Sequence, residues 1–97
     1  MFTVSIWVQA QLEACESLKE KRSIVRGMLA ELRRVYKASA AEVDTQDQLQ
    51  TMTLGLALVV SDMVSAQRMG QMIEQALYMD TRFPTMDVRV QIHKQGI

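Results

Sequence analysis

Residues 2 to 12 alternate without a break, with Phe2, Val4, Ile6, Val8, Ala10 and Leu12 on one side and Thr3, Ser5, Trp7, Gln9 and Gln11 on the other. Successive side chains of a strand point to opposite faces, so this period of two predicts an extended strand with one buried face. One large apolar residue, Trp7, stands on the otherwise polar side.

The same period returns three times. "SAAEVD" sets Ala41 and Val43 against Glu42 and Asp44, and "TLGLALVVS" sets Leu54, Leu56, Leu58 and Val60 against Thr53, Gly55, Ala57 and Val59. Two such runs separated by a few turn residues predict a hairpin. The last strand carries Met86, Val88, Val90 and Ile92 opposite Asp87, Arg89, Gln91 and His93.

Between the strands the period lengthens to that of a helix. Ser17 and Glu20 form the Ser-x-x-Glu pattern of a capping box, and Leu18, Val25, Met28, Leu29, Leu32, Val35 and Tyr36 follow at helical spacing to about residue 37. Ser61 or Asp62 caps a second helix with Ala66, Met69, Met72 or Ile73, Ala76 and Leu77 on its apolar face, and Pro84 blocks its continuation. The order βαββαβ predicts a ferredoxin-like α+β sandwich, a four-stranded antiparallel sheet with two helices on one face. Residues 1–97 read as one domain.

The 48% apolar content is enough for one core, and eleven basic residues cancel eleven acidic ones. No overall field then draws the chain to nucleic acid or membrane, and such binding needs a local patch. The lone Cys15 has no intramolecular disulfide partner, which fits a reducing compartment. "MFTVSIW" lacks a basic start before a long apolar stretch, and no apolar run reaches the roughly 18 residues of a membrane span. The expectation is a cytoplasmic protein without membrane contact.

"SLKEKR" at the first helix, followed by "SAAEVDTQDQLQ" running into "TLGLALVVSD", resembles the YlxP-like family of bacterial domains of unknown function over nearly the whole chain. The resemblance implies a ferredoxin-like fold. Genes of that family often neighbour those for translation initiation and small-subunit maturation factors, which implies a link to the ribosome. The sequence departs from the family pattern at Thr45, where relatives tend to have histidine, and at Leu49 and Thr51, where they tend to have tryptophan and arginine.

Glu42, Asp44 and Asp47 crowd the predicted hairpin turn, with Glu42 and Asp44 expected on one strand face. Their spacing lacks the pattern of a calcium loop, and nothing predicts the desolvated carboxylate that acid–base chemistry needs. Aspartates are natural turn residues, so the segment reads as a turn, with Glu42, Asp44, Gln46, Asp47 and Gln50 as candidates for an exposed recognition loop.

On the first helix Lys19, Arg22, Arg26, Arg33 and Lys37 fall within a wedge of about 60°, along about 27 Å of axis. Glu20 and Glu31 lie on the opposite flank. Such a stripe is either a solvated helix edge or a track for phosphates.

Trp7 is expected on the open sheet face, between Gly55 and Ala57 on one side and Arg89, Gln91 and His93 on the other. RNA-recognition domains of this topology stack bases on aromatics of both central strands, whereas here the neighbouring strand offers only glycine and alanine. Burial of Trp7, Arg89 and His93 against another subunit is the better expectation. His93 has no second ligand, Cys15 no histidine partner, and Met63, Met69, Met72 and Met79 read as core filling.

No phosphate loop, Cys/His cluster or nucleophile elbow is present, so no cofactor, metal or catalytic role is expected. Two functions remain. One is binding to the small ribosomal subunit or structured RNA through the first helix; the other is homo-oligomerisation or protein interaction through the face around Trp7.

Overall fold

A computed structural model describes residues 1–96. The chain forms β1 (Phe2–Gln11), α1 (Leu18–Tyr36), β2 (Ser39–Glu42), β3 (Thr51–Val60), α2 (Met63–Tyr78) and β4 (Met86–Lys94). The strands make one sheet in the order β2-β3-β1-β4, every neighbouring pair antiparallel. This is the ferredoxin-like α+β architecture that the alternating and helical periods predict. No helix among the described residues is long and apolar enough to cross a membrane.

β1 is central and sets the register of both neighbours, with Trp7 opposite Gly55 on β3 and Arg89 on β4. Its apolar side, Val4, Ile6, Val8 and Ala10, joins Met52, Leu54, Leu56 and Val88 beneath the helices. Thr53 and Gly55 belong to the opposite, open face.

Each helix buries a narrower arc than its apolar pattern predicts. In α1 the buried residues are Lys21, Val25, Met28 and Leu32, at spacings of four, three and four. Leu18 and Val35 are exposed, because flank positions in a terminal turn have a neighbouring turn on only one side to shield them. In α2 Ala66, Gly70, Ile73 and Leu77 are buried at the same spacings, and Met72 and Ala76 face out. Met63 and Met79 are exposed as well and Met69 is half-buried, so the α2 methionines are mostly surface residues rather than core filling.

The caps show how the helices start and stop. Ser17 Oγ accepts from Glu20 N at 3.1 Å, but Glu20 Oε2 accepts from Glu16 N at 3.3 Å rather than from the cap residue itself. Asp62 caps α2, accepting from Ser65 N at 2.8 Å and Ser65 Oγ at 2.9 Å, and these bonds hold its carboxyl below the usual value. α1 ends at Lys37, whose φ of 54° is left-handed and turns the chain into β2.

α2 sits close to the sheet at Gly70, where a Cβ would lie 2.9 Å from Val90 Cγ1. Gly27, on the solvent side of α1, has nothing within 4 Å of the corresponding position. Arg82, in the α2–β4 connection, binds Asp80 Oδ2 at 2.6 Å and Glu31 Oε2 at 3.1 Å and lies over Phe83, 5.4 Å from the ring centre. It thereby links that connection to α1.

Two glycine substitutions should move stability in opposite directions in urea titrations. Gly70→Ala forces Val90 aside and costs about 1–3 kcal/mol. Gly27→Ala removes a flexible residue from an open helix position and adds up to about 1 kcal/mol. The Arg82 bonds also lower the Asp80 carboxyl from its ordinary value of 3.8. A lowered folded-state value stabilises above that pH and the benefit is lost as the carboxyl protonates. The stability gap between wild type and Arg82→Met should therefore narrow as pH falls below 3.8.

Candidate functional site

Lys21 is the residue that the charge pattern conceals. It lies in the buried arc of α1 and is 1% exposed. Its ammonium donates to the carbonyls of Thr45 and Gln48, has Gln46 O at 3.5 Å, and stands 3.2 Å from Glu42 Oε2. An ammonium has three donors, and buried charge is tolerated only when paired and hydrogen-bonded. Here the β2–β3 loop supplies the partners. The signal in the sequence is the spacing: residue 21 precedes Val25, Met28 and Leu32 on the core register.

The loop, residues 43–50, is longer than a tight hairpin and is folded around this clamp. Val43 N donates to Thr53 O at 2.8 Å and extends the β2–β3 ladder by one step. Asp44 follows with φ 63°, a left-handed conformation that aspartate tolerates better than most residues. Thr45 is buried, its hydroxyl 2.9 Å from Thr53 Oγ1, which also accepts from Gln9 Nε2 at 3.1 Å. Thr53 is thus covered although its strand parity places it on the open face.

The recognition-loop residues therefore divide. Asp44, Gln46, Asp47 and Gln50 are exposed, with Gln46 Nε2 reaching back to Glu42 O at 3.4 Å and Gln50 O accepting from Leu12 N at 2.8 Å. Glu42 does not share a face with Asp44. It turns toward the helix layer to meet Lys21, and Asp44 lies beyond the end of the strand. Among the described residues no three His, Cys, Asp or Glu side chains are placed to share a metal ion.

The basic stripe is shorter than its helical wedge suggests. Lys19, Arg22 and Arg26 are exposed on α1, and among the described residues none of them has an acidic partner. Arg33 is tied down, its Nη2 donating to Ala40 O on β2 at 2.7 Å. Lys37 leaves the helix as its left-handed cap, so the 100° rule no longer places it on the stripe. The bond from Arg33 also shows that this flank of α1 overhangs the β2 edge of the sheet.

On the open face Trp7 is half-buried, and the Arg89 guanidinium lies 5.1 Å from its ring centre while also meeting Asp87 at 3.3 Å. His93 is not part of this group; it pairs with Thr3, four residues along β4. Beside Trp7 the small residues Gly55, Ala57 and Ala41 leave a shallow depression of about 670 Å³, walled by Val43. Cys15 is fully buried, with Sγ 3.5 Å from Ser17 O.

Lys21→Met strips the loop carbonyls and Glu42 of their donor. Removing one partner of a buried ion pair costs about 3–5 kcal/mol. The expected result is a large loss of unfolding midpoint, with faster amide exchange in residues 45–48 before the sheet itself opens.

Comparison with curated proteins finds no match. A family model described as "Protein of unknown function (DUF503)" matches residues 4–90, from the third residue of β1 into β4. That span takes in the Lys21 clamp, the exposed edge of α1 and the Trp7–Arg89 pair. The chain belongs to this family of uncharacterised domains.

Proposed function

We propose that the protein acts by binding rather than by catalysis, and that its ligand is structured RNA, in the setting of the small ribosomal subunit. The observation that carries this reading is the α1 edge, where Lys19, Arg22 and Arg26 stand exposed without acidic partners. Elsewhere Arg82 and Arg89 are each neutralised by neighbouring carboxylates. The exposed Arg34 and Arg68, also without acidic partners among the described residues, stand apart from this edge, one farther around α1 and the other on α2. In a net-neutral chain, a cationic edge left unpaired concentrates positive potential on one side. Side chains that contact phosphates by shape suit duplex-like RNA, whose bases are hard to reach. The clamped 43–50 loop stands at the N-terminal end of the same helix, where Lys21 holds it, and offers Asp44, Gln46 and Asp47 as neighbouring polar contacts.

A second reading, a protein contact on the open face, draws on the depression beside Trp7. Its discriminating variant is Trp7→Ala, which leaves the α1 edge intact.

The decisive experiment is co-sedimentation with purified small subunits over a range of salt. Three phosphate contacts give a slope of log K against log salt of roughly −2 to −3. Changing Lys19, Arg22 and Arg26 together to Glu should abolish binding and leave the unfolding midpoint nearly unchanged. Arg33 is left alone because it also holds β2. Undiminished binding by the triple variant overturns the assignment.

A further inference from the structure

Each strand of an antiparallel sheet offers the N–H and C=O groups of alternate residues to its two sides. At the ends of the β1–β4 ladder Gln11 N donates to Thr85 O at 3.0 Å and Gln95 N to Met1 O at 2.9 Å. The odd-numbered residues of β4 therefore face β1, and Val88, Val90, Ile92 and Lys94 present their backbone groups outward. The Val88 N–H is taken by Tyr78 Oη at 3.0 Å. Among the described residues no protein group takes the N–H or C=O of Val90, Ile92 or Lys94.

The other edge is different. In β2 the outward residues are Ala40 and Glu42, and both of their carbonyls are capped, by Arg33 Nη2 at 2.7 Å and by Gln46 Nε2 at 3.4 Å. Side chains that occupy an edge in this way prevent another strand from adding to it. Only the β4 edge keeps an open run.

We propose that Val90–Lys94 of β4 is a self-association edge, to which a second copy of the chain adds its own β4 antiparallel, with the two-fold axis at Ile92. The backbone selects this register. An axis at Val90 or at Gln91 sets Val88 opposite Ile92 or Lys94, and each of those pairings needs the Val88 N–H that Tyr78 already holds. An axis at Ile92 pairs the three open residues among themselves, Val90 with Lys94 and Ile92 with its own copy, and sets Val88 opposite only Gly96, beyond the end of the strand. On the open face it sets Gln91 opposite His93 and Arg89 opposite Gln95, so no like charges meet.

The helix side of the edge fits the same occupant. A depression of about 160 Å³ lies between α2 and β4, lined by Gln67, Gly70, Gln71, Glu74, Val90 and Ile92. The absence of a side chain at Gly70 opens it, and it has room for an aliphatic side chain such as the second copy's Ile92. Lys94 of the second copy, set opposite Val90, falls beside Glu74, which has no cationic partner among the described residues. The result is a continuous eight-stranded sheet with the two α1 edges at its far ends. This inference does not depend on the RNA reading.

The test needs no disabling mutation. Sedimentation and backbone amide exchange of the wild-type protein are measured together, from roughly micromolar to millimolar concentration, the range for a small interface. The expected result is a dimer whose formation slows exchange at Val90, Ile92 and Lys94 and leaves Ala40 and Glu42 unchanged. A protein that stays monomeric throughout overturns the proposal. So does a dimer in which the three β4 amides exchange at their monomer rates, since its contact then lies elsewhere, such as the face around Trp7. Ile92→Cys checks the register: hydrogen-bonded partners have Cα atoms about 5.5 Å apart, within disulfide reach, and Cys15 is too buried to compete. Mild oxidation should link Ile92→Cys into dimers and leave Val90→Cys unlinked; the reverse pattern rejects the axis at Ile92.

Discussion

β1 binds β4 through the backbone of its odd residues and β3 through that of its even ones, and the rest of the molecule takes its alignment from that division. Gln11 N reaching Thr85 O and Leu12 N reaching Gln50 O mark the two ladders. Because the side chains alternate with the same period, the register that satisfies the hydrogen bonds also stacks Val4, Ile6 and Val8 under the helices. A slip of one residue would expose that set and bury Ser5, Trp7 and Gln9 instead. Burial of one face therefore defends the pairing on both sides, and it places Trp7 between Gly55 and Arg89.

Against this rigid frame, the β2–β3 loop is held by a charge. Three loop carbonyls and the Glu42 carboxylate converge on the Lys21 ammonium. A loop that turns its carbonyls inward to a cation has few alternative conformations, because each departure leaves a buried charge short of a partner. Such an arrangement gives an exposed polar loop a fixed shape. Lys21 thus acts on any surface function from beneath, and Lys19 and Arg22 flank it on the exposed side of the helix.

The two sheet edges show a complementary use of polar side chains. Arg33 and Gln46 cap the outward carbonyls of β2, whereas on β4 Tyr78 covers only the Val88 N–H. Arg33 looks like a member of the cationic stripe when only its helical angle is considered, yet the tertiary structure commits it to the β2 edge. The stripe and the edge are consequently not independent: the helix that carries the free cations is anchored to the strand beneath by one of their number.

The sequence by itself determined the element order, the faces of β1, β3 and β4 and the Ser17 cap, and narrowed the second cap to Ser61 or Asp62, because periods of two and 3.6 and capping chemistry are local properties. β2 turned the other way, with Ala40 and Glu42 toward the helices and Ala41 on the open face. It also placed Trp7 on the open face beside Gly55 and Arg89, since strand parity and a common strand order suffice for that. What only the tertiary structure decided was which charges are free. Lys19, Lys21 and Arg22 are near neighbours in sequence and alike in character, but Lys21 is buried because its helical angle points into the core and a loop more than twenty residues away brings the carbonyls to receive it. Glu42 was drawn from solvent for the same reason, and Lys37 left the stripe when a left-handed cap ended the helix. Charge pairing depends on distances between segments that meet only after folding, and no periodicity in the chain records them.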